Sequence, residues 1–238
     1  MALALLPAAL WMIFSRLAEE RVLRPRQQLT TTFVMGALVA GAVGMPILDK
    51  VVRAEDWLPL QSVVNRIIGY TATLGIVQEA LKFAVMRYMV WTAYTQTRAD
   101  MVAYGAAVAV GWATAFNLRF ALDNLAQIDV MALQVLSATT LSIGASLIVG
   151  HGLAQTWLLE RPNILLLPAS LLSSALVVGL GTSLGSSLAN ATLRIQGAAA
   201  RPLLSFVFVV VFWLSVAGLA FFLYNVAERS ERLMQGEV

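Results

Sequence analysis

Residues 101–122 read MVAYGAAVAVGWATAFNLRFAL, and Arg119 is the one charged side chain among them. At about 1.5 Å of rise per residue, an α-helix of this length crosses the roughly 30 Å hydrocarbon core of a bilayer. Small residues punctuate the run, among them Gly105, Ala109 and Gly111. Because glycine and alanine let helix backbones approach closely in lipid, the stretch predicts a transmembrane helix packed against other helices.

The composition of the whole chain agrees with this prediction. Of its 238 residues, 59% are hydrophobic and only 12% are charged, and the mean hydropathy is +0.78. Soluble domains carry about 45–50% apolar and about 25% charged residues, so most of this surface is predicted to face lipid. Only helices and closed barrels satisfy the backbone there. Barrel strands alternate in hydropathy, whereas these apolar runs are continuous, which indicates helices.

Seven apolar stretches are candidates for membrane spans, since a span needs roughly 20 mostly apolar residues. They are Ala2–Leu17, Thr30–Leu48, Val63–Tyr94, Met101–Leu122, Ala132–Leu158, Ile164–Asn190 and Leu203–Val226. The third is long enough to tilt or to project from the membrane. We predict an all-α fold, a polytopic transmembrane bundle of about seven spans, with residues 1–238 forming a single integral membrane domain.

Charge gives the orientation and limits the partners. The net charge of +3 is spread over short loops, so no basic patch predicts nucleic-acid binding, and the absence of cysteine excludes disulfides and thiolate metal sites. The end with the first, third and fifth loops and the C-terminus carries eight Lys and Arg residues, against six at the other end. Four of the eight lie between Arg16 and Arg26. The positive-inside rule then predicts an outside N-terminus and a cytoplasmic C-terminus.

Ionisable and amide side chains inside spans are the candidate functional residues, since such groups are costly in lipid. The third span carries Gln78, Glu79 and Lys82, the fourth Asn117 and the fifth His151. Glu79 and Lys82 lie three residues apart on one helix face and can neutralise each other, in a structural or a functional role. His151 needs partners before it can act as a ligand.

Helix rise predicts which of these groups share a depth. Glu79 and Phe116 each lie 16 residues from the same end of the bundle, about 24 Å in. Ser142 of the fifth span comes closest to that level. His151 lies about 13 Å further along the same helix and is poorly placed to join Glu79.

The order of several motifs resembles the PrsW family of intramembrane proteases, which belongs with the wider CPBP group. The resemblance is carried by Arg24–Arg26, Phe33–Gly36, Val77–Lys82 (VQEALK), Asp100–Ala107 (DMVAYGAA) and Gly111–Asn117 (GWATAFN). It covers about residues 1–150. It implies a bacterial cytoplasmic-membrane protein in which a metal-bound water attacks a peptide bond within the membrane, with a carboxylate as base.

Most positions that the resemblance implies for catalysis carry other residues here. The family's Glu-Glu pair falls on Gln78 and Glu79, its Lys on Lys82, its second-block Glu-Asn pair on Phe116 and Asn117, and its later histidines near Ser142 and Ser173. Gln78 is not a base, Phe116 neither binds metal nor moves a proton, and serine is a poor metal ligand. The catalytic positions are therefore replaced.

The leading hypothesis is a non-catalytic PrsW-like protein, a structural or accessory subunit of a membrane complex. Its partners are then the lipid bilayer and partner membrane proteins, with neither cofactor nor metal expected. The alternative is a divergent intramembrane metalloprotease in which zinc, Glu79 and His151 act together on membrane-protein substrates. A third class, a transporter or a pigment-binding subunit with His151 as axial ligand, stays open.

Overall fold

The computed structural model describes residues 2–19, 28–92, 98–123, 128–157 and 165–193, and shorter stretches between 207 and 226. These residues are almost entirely helical, and none of them forms a strand. The helices are α1 (Ala2–Glu19), α2 (Leu29–Val39), α3 (Ala54–Trp57), α4 (Val63–Tyr70), α5 (Ile76–Thr92), α6 (Arg98–Asp123), α7 (Ile128–Trp157) and α8 (Leu166–Leu193). π-Helical segments follow α2 at Ala40–Gly44 and Ile47–Val52 and join α4 to α5 at Thr71–Gly75, and a 3₁₀ turn spans Leu58–Leu60. The all-α prediction is confirmed.

Four helices in the described part of the chain are long and apolar enough to cross a membrane, which indicates a membrane protein. They span Leu29–Val52, Ala99–Asp123, Met131–Thr156 and Leu166–Leu184. Two shorter apolar helices, Ala2–Ile13 and Val210–Leu223, lie where the first and seventh spans were expected. The count of seven stays a prediction.

The third expected span departs from a regular helix. It runs from α4 through the π-helical segment Thr71–Gly75 into α5. Thr71 and Thr73 donate hydrogen bonds from their side chains to carbonyls four residues back, at 2.7 and 2.6 Å, and such bonds often bend a helix. α8 packs against this segment so closely that a Cβ at Gly179 would lie 2.7 Å from the Thr71 nitrogen. The hydropathy pattern gave no sign of this irregularity.

α6 lies at the centre, in contact with α1, α2, α5 and α7, while α7 also packs on α8. Its membrane segment is the most buried of the four. Glycines permit this position: a Cβ at Gly111 would lie 2.0 Å from the Phe33 carbonyl oxygen, and one at Gly105 2.8 Å from the Ser146 carbonyl oxygen. The predicted packing role of these small residues is confirmed.

The two ends of the bundle differ in character. At one end, Leu29, Met89, Met101 and Leu153 belong to the main hydrophobic core cluster. At the other, where α6 ends, Asp49 of the second π-helical segment pairs with Arg119. We call this second end, which also carries α3 and the start of α4, the charged end. A cavity lies between the charged end and the middle of the bundle.

Candidate functional site

The side chains of Glu79 and Lys82 form an ion pair inside the bundle. Both are on α5, three residues apart, and both are fully buried. Two charges removed from water are stable only if their attraction is supplemented by further hydrogen bonds. The predicted neutralisation of Glu79 by Lys82 is confirmed.

Two serines of α7 supply the further hydrogen bonds. Ser146 donates from Oγ to Glu79 Oε2 over 3.2 Å, and Lys82 donates from Nζ to Ser142 Oγ, also over 3.2 Å. Ser142 in turn donates to the Ala109 carbonyl of α6 over 3.1 Å. Ser142 and Ser146 lie four residues apart, hence on one face of α7. Glu79, Lys82, Ser142 and Ser146 are called the polar cluster below.

Two aromatic rings of α6 cover the cluster on another side. The Lys82 ammonium lies 6.0 Å from the centre of the Trp112 ring, at the outer limit of a cation–π contact. Phe116, one turn on, stacks on Trp112 with ring centres 5.6 Å apart. Phe116, where the resemblance implies the second-block Glu, is therefore part of an aromatic stack.

Asn117 binds elsewhere. Its Nδ2 donates to Thr139 Oγ1 over 3.0 Å, and Thr139 donates to the Val135 carbonyl of its own helix over 2.7 Å. This contact joins α6 to α7 but leaves Asn117 out of the polar cluster.

A cavity of about 540 Å³ descends from the charged end toward the polar cluster. Its walls include four of the positions that the sequence singled out: Gln78, Phe116, Asn117 and Ser142. The cavity brings residues of α5, α6 and α7 together, but Glu79 is not in its lining and bonds to Ser146, one turn beyond the Ser142 that helix rise placed nearest to its level. The shared depth of Glu79 and Phe116 stays a prediction. α8 closes the wall with Val178 and Thr182, and Trp112 also lines it.

Charged residues surround the mouth of the cavity, and the structure pairs them with one another. Arg119 contacts Asp49 across the mouth and reaches Asp123 from Nε over 3.2 Å. Arg53 and Asp56, also in the lining, are joined over 2.7 Å. Exposed pairs of this kind contribute about 0–1 kcal/mol each, so they shape the entrance more than they stabilise the fold.

Ser173 and His151 stand apart from this arrangement. Ser173 is exposed on α8, whereas its neighbour Ser174 is fully buried and bonds to the Leu171 carbonyl. His151 is half-buried on α7 and does not belong to the cavity lining. Ser146, and not His151, reaches the Glu79 carboxylate.

The residues present do not fit a zinc ion. Zinc sites use several His, Cys, Asp or Glu ligands. The cavity wall offers an amide at Gln78, a phenyl ring at Phe116 and a hydroxyl at Ser142, and the carboxylate of Glu79 is occupied by Lys82 and Ser146. Among the residues that the structure describes, no three His, Cys, Asp or Glu side chains lie close enough together to hold a metal.

Sequence reasoning missed Ser146, Trp112 and Thr182. The spacing of Ser142 and Ser146 carries a signal, because two hydroxyls four residues apart in an apolar helix face the same neighbour. No sequence signal marks Trp112 or Thr182, because their place in the cavity wall depends on how α6 and α8 pack.

No protein-family model, curated protein or solved structure matches the chain. The PrsW-like assignment therefore depends on the sequence motifs alone.

Proposed function

We propose that this chain is a non-catalytic integral membrane protein of the PrsW-like type that serves as an accessory subunit of a membrane complex. The polar cluster is the observation that carries the proposal. Glu79, the one carboxylate at the mapped positions, is ion-paired with Lys82, hydrogen-bonded to Ser146 and fully buried. A carboxylate held in this way is poorly suited to take a proton from an attacking water.

The residues that line the cavity also support a non-catalytic protein. Metal-assisted hydrolysis needs metal ligands and a base that reaches water. The wall carries Gln78, Phe116 and Ser142 at the mapped positions, and these are poor ligands and poor bases. The divergent-protease alternative requires Glu79 and His151 to act together. His151 lies five residues beyond Ser146, about 7.5 Å further along α7.

The helix Val210–Leu223 offers a surface for a partner. Its inner face packs on the bundle through Val216, Leu219 and Leu223. Its outer face carries a stripe of exposed residues, which are Val211, Leu214, Gly218 and Phe221. Their alternating spacing of four and three residues is the repeat with which helices pack on one another, and the glycine permits close approach.

The experiment compares two glycines that both face open space. A Cβ at Gly218 or at Gly41 of the first π-helical segment would meet nothing within 4 Å. Purified in mild detergent from its native membrane, the chain is expected to carry a stoichiometric partner. Gly218→Leu is expected to reduce the recovered partner at least about tenfold, the effect of losing about 1.4 kcal/mol of binding. Gly41→Leu is the control and should retain it.

Two results would contradict the proposal. One is a chain that purifies alone and whose behaviour Gly218→Leu leaves unchanged. The other is one tightly held zinc per chain that disappears in Glu79→Gln, which would establish the protease alternative instead.

The proposal includes about seven spans in a bacterial cytoplasmic membrane, with the charged end outside. The support is the excess of Lys and Arg toward the opposite end. In this cysteine-free chain, Gln61→Cys at the charged end should react with an impermeant thiol reagent in intact cells. Leu165→Cys at the other end should react only after permeabilisation. The reverse pattern would invert the orientation.

A further inference from the structure

The cavity wall contains polar groups without a hydrogen-bond partner in the described structure. Trp112 is 2% exposed, yet its Nε1–H has no acceptor. Gln78 and Thr182 line the cavity and make no side-chain hydrogen bond to the described residues, and Asn117 uses only its Nδ2. Of these groups only the Trp112 N–H is both buried and unpaired, which is costly, whereas Gln78 and Thr182 are half-buried. A molecule that bonded to the indole N–H would therefore gain affinity, and the other groups are within the same lining to add hydrogen bonds.

All four of these groups are neutral, whereas every charged group of the lining already has a partner within the chain. The carboxylates of Asp49 and Asp123 are bound to Arg119, and Asp56 is bound to Arg53. An ion that entered would lose its hydration and find no free counter-charge in the wall. The mouth holds three carboxylates against two guanidinium groups, and this excess of one negative charge disfavours anions further. All three carboxylates are bound to the two guanidinium groups, so none of them is free to pair with a cation.

One wall of the cavity is aromatic. Trp112, Phe116 and Phe120 lie at intervals of four residues along α6, and all three belong to the lining. The polar side chains of Gln78 and Thr182 come from α5 and α8. A volume of about 540 Å³ is within the range of sites for small molecules, which combine apolar walls with a few placed polar groups.

From these observations we propose that the cavity is a binding site for a small uncharged molecule with a flat apolar face and hydrogen-bonding groups. The aromatic wall takes the flat face. The indole N–H of Trp112 and the side chains of Gln78, Asn117 and Thr182 take the polar groups. The polar cluster beneath is neutral as a whole, so it holds the shape of the floor without attracting ions. The proposal does not depend on the accessory-subunit function.

The test uses three probes of similar size and different charge: benzamide, benzoate and benzylammonium. The reporter is Thr182→Cys, whose thiol would line the cavity, treated with the neutral reagent 2-hydroxyethyl methanethiosulfonate. Saturating benzamide is expected to slow the modification about tenfold, because pocket sites bury 70–90% or more of a ligand. Benzoate and benzylammonium should change the rate less than about twofold, since charge without a counter-charge is excluded.

Gln61→Cys, exposed outside the cavity, is the control and should react at the same rate with or without each probe. Gln78→Cys is a second reporter if Thr182→Cys does not fold. Equal protection by a charged probe would overturn the preference for uncharged ligands. Rapid modification that benzamide leaves unchanged would overturn the site itself, as would reporters that fold but do not react with the neutral reagent.

Discussion

Replacing Glu79 with alanine is expected to lower the free energy of unfolding by about 3–5 kcal/mol, because the change leaves the Lys82 ammonium buried without a counter-charge. Both side chains are fully buried, and after the change Lys82 keeps only the hydroxyl of Ser142 and the ring of Trp112. The loss is measurable as a lowered unfolding free energy in detergent.

A double-mutant cycle separates the ion pair from simple truncation. Lys82→Ala should also destabilise strongly, since it isolates the carboxylate. The double change should cost less than the two single changes together, because neither charge is then left alone. Ser146→Ala, which removes one hydrogen bond to the carboxylate, is expected to cost about 1.5–3 kcal/mol. Ser137→Ala, at a partly exposed serine that bonds to the Gln134 carbonyl of its own helix, is the control. Strict additivity of Glu79→Ala and Lys82→Ala would show that the two groups do not interact.

Gly111→Ala is expected to destabilise the protein by about 3 kcal/mol or more, since inserting one carbon into a tightly packed contact forces backbone shifts. The added Cβ would lie 2.0 Å from the Phe33 carbonyl oxygen and 3.1 Å from the Ala37 nitrogen. Both atoms belong to the backbone of α2, so no side-chain rotation relieves the clash. The measurement is the same unfolding free energy.

Gly41→Ala is the matched control, because its Cβ would meet nothing within 4 Å. It should leave stability unchanged or raise it slightly, as glycine is the weaker helix former by about 1 kcal/mol. If the two substitutions had equal effects, α2 and α6 would not be in the contact described here.

The positions along the helices were predictable to about one turn, whereas their faces were only partly so. Counting residues at a constant rise placed Ser142 nearest to the level of Glu79; in the structure Ser142 binds Lys82, and Ser146, one turn further along, binds Glu79. The spacing of Glu79 and Lys82 predicted their pairing. Asn117, a polar span residue that the sequence singles out, binds Thr139 and not the polar cluster.

The cavity was not predictable, because its walls depend on how each helix is rotated about its axis. The contribution of α8 shows this. Residues 173 and 174 are both serine, and only packing decides that Ser174 faces inward while Ser173 faces outward. The charged mouth was equally hidden, since Asp49 and Arg119 are 70 residues apart in the sequence.

The π-helical segment Thr71–Gly75 has a consequence at the level of insertions and deletions. A π bulge contains one residue more than an α-helix needs for the same path. Each residue of an α-helix turns the chain by about 100°, so an extra residue absorbed in a regular α-helix would rotate α4 by that angle relative to α5. The wider π turn absorbs it without that rotation, so Tyr70 contacts Leu58 at the charged end while Gln78 lines the cavity and Glu79 bonds to α7. Deleting one codon here is therefore expected to restore a regular α-helix and to leave these contacts in place. Homologues without this extra residue would have to be aligned to this chain with a gap inside a membrane helix.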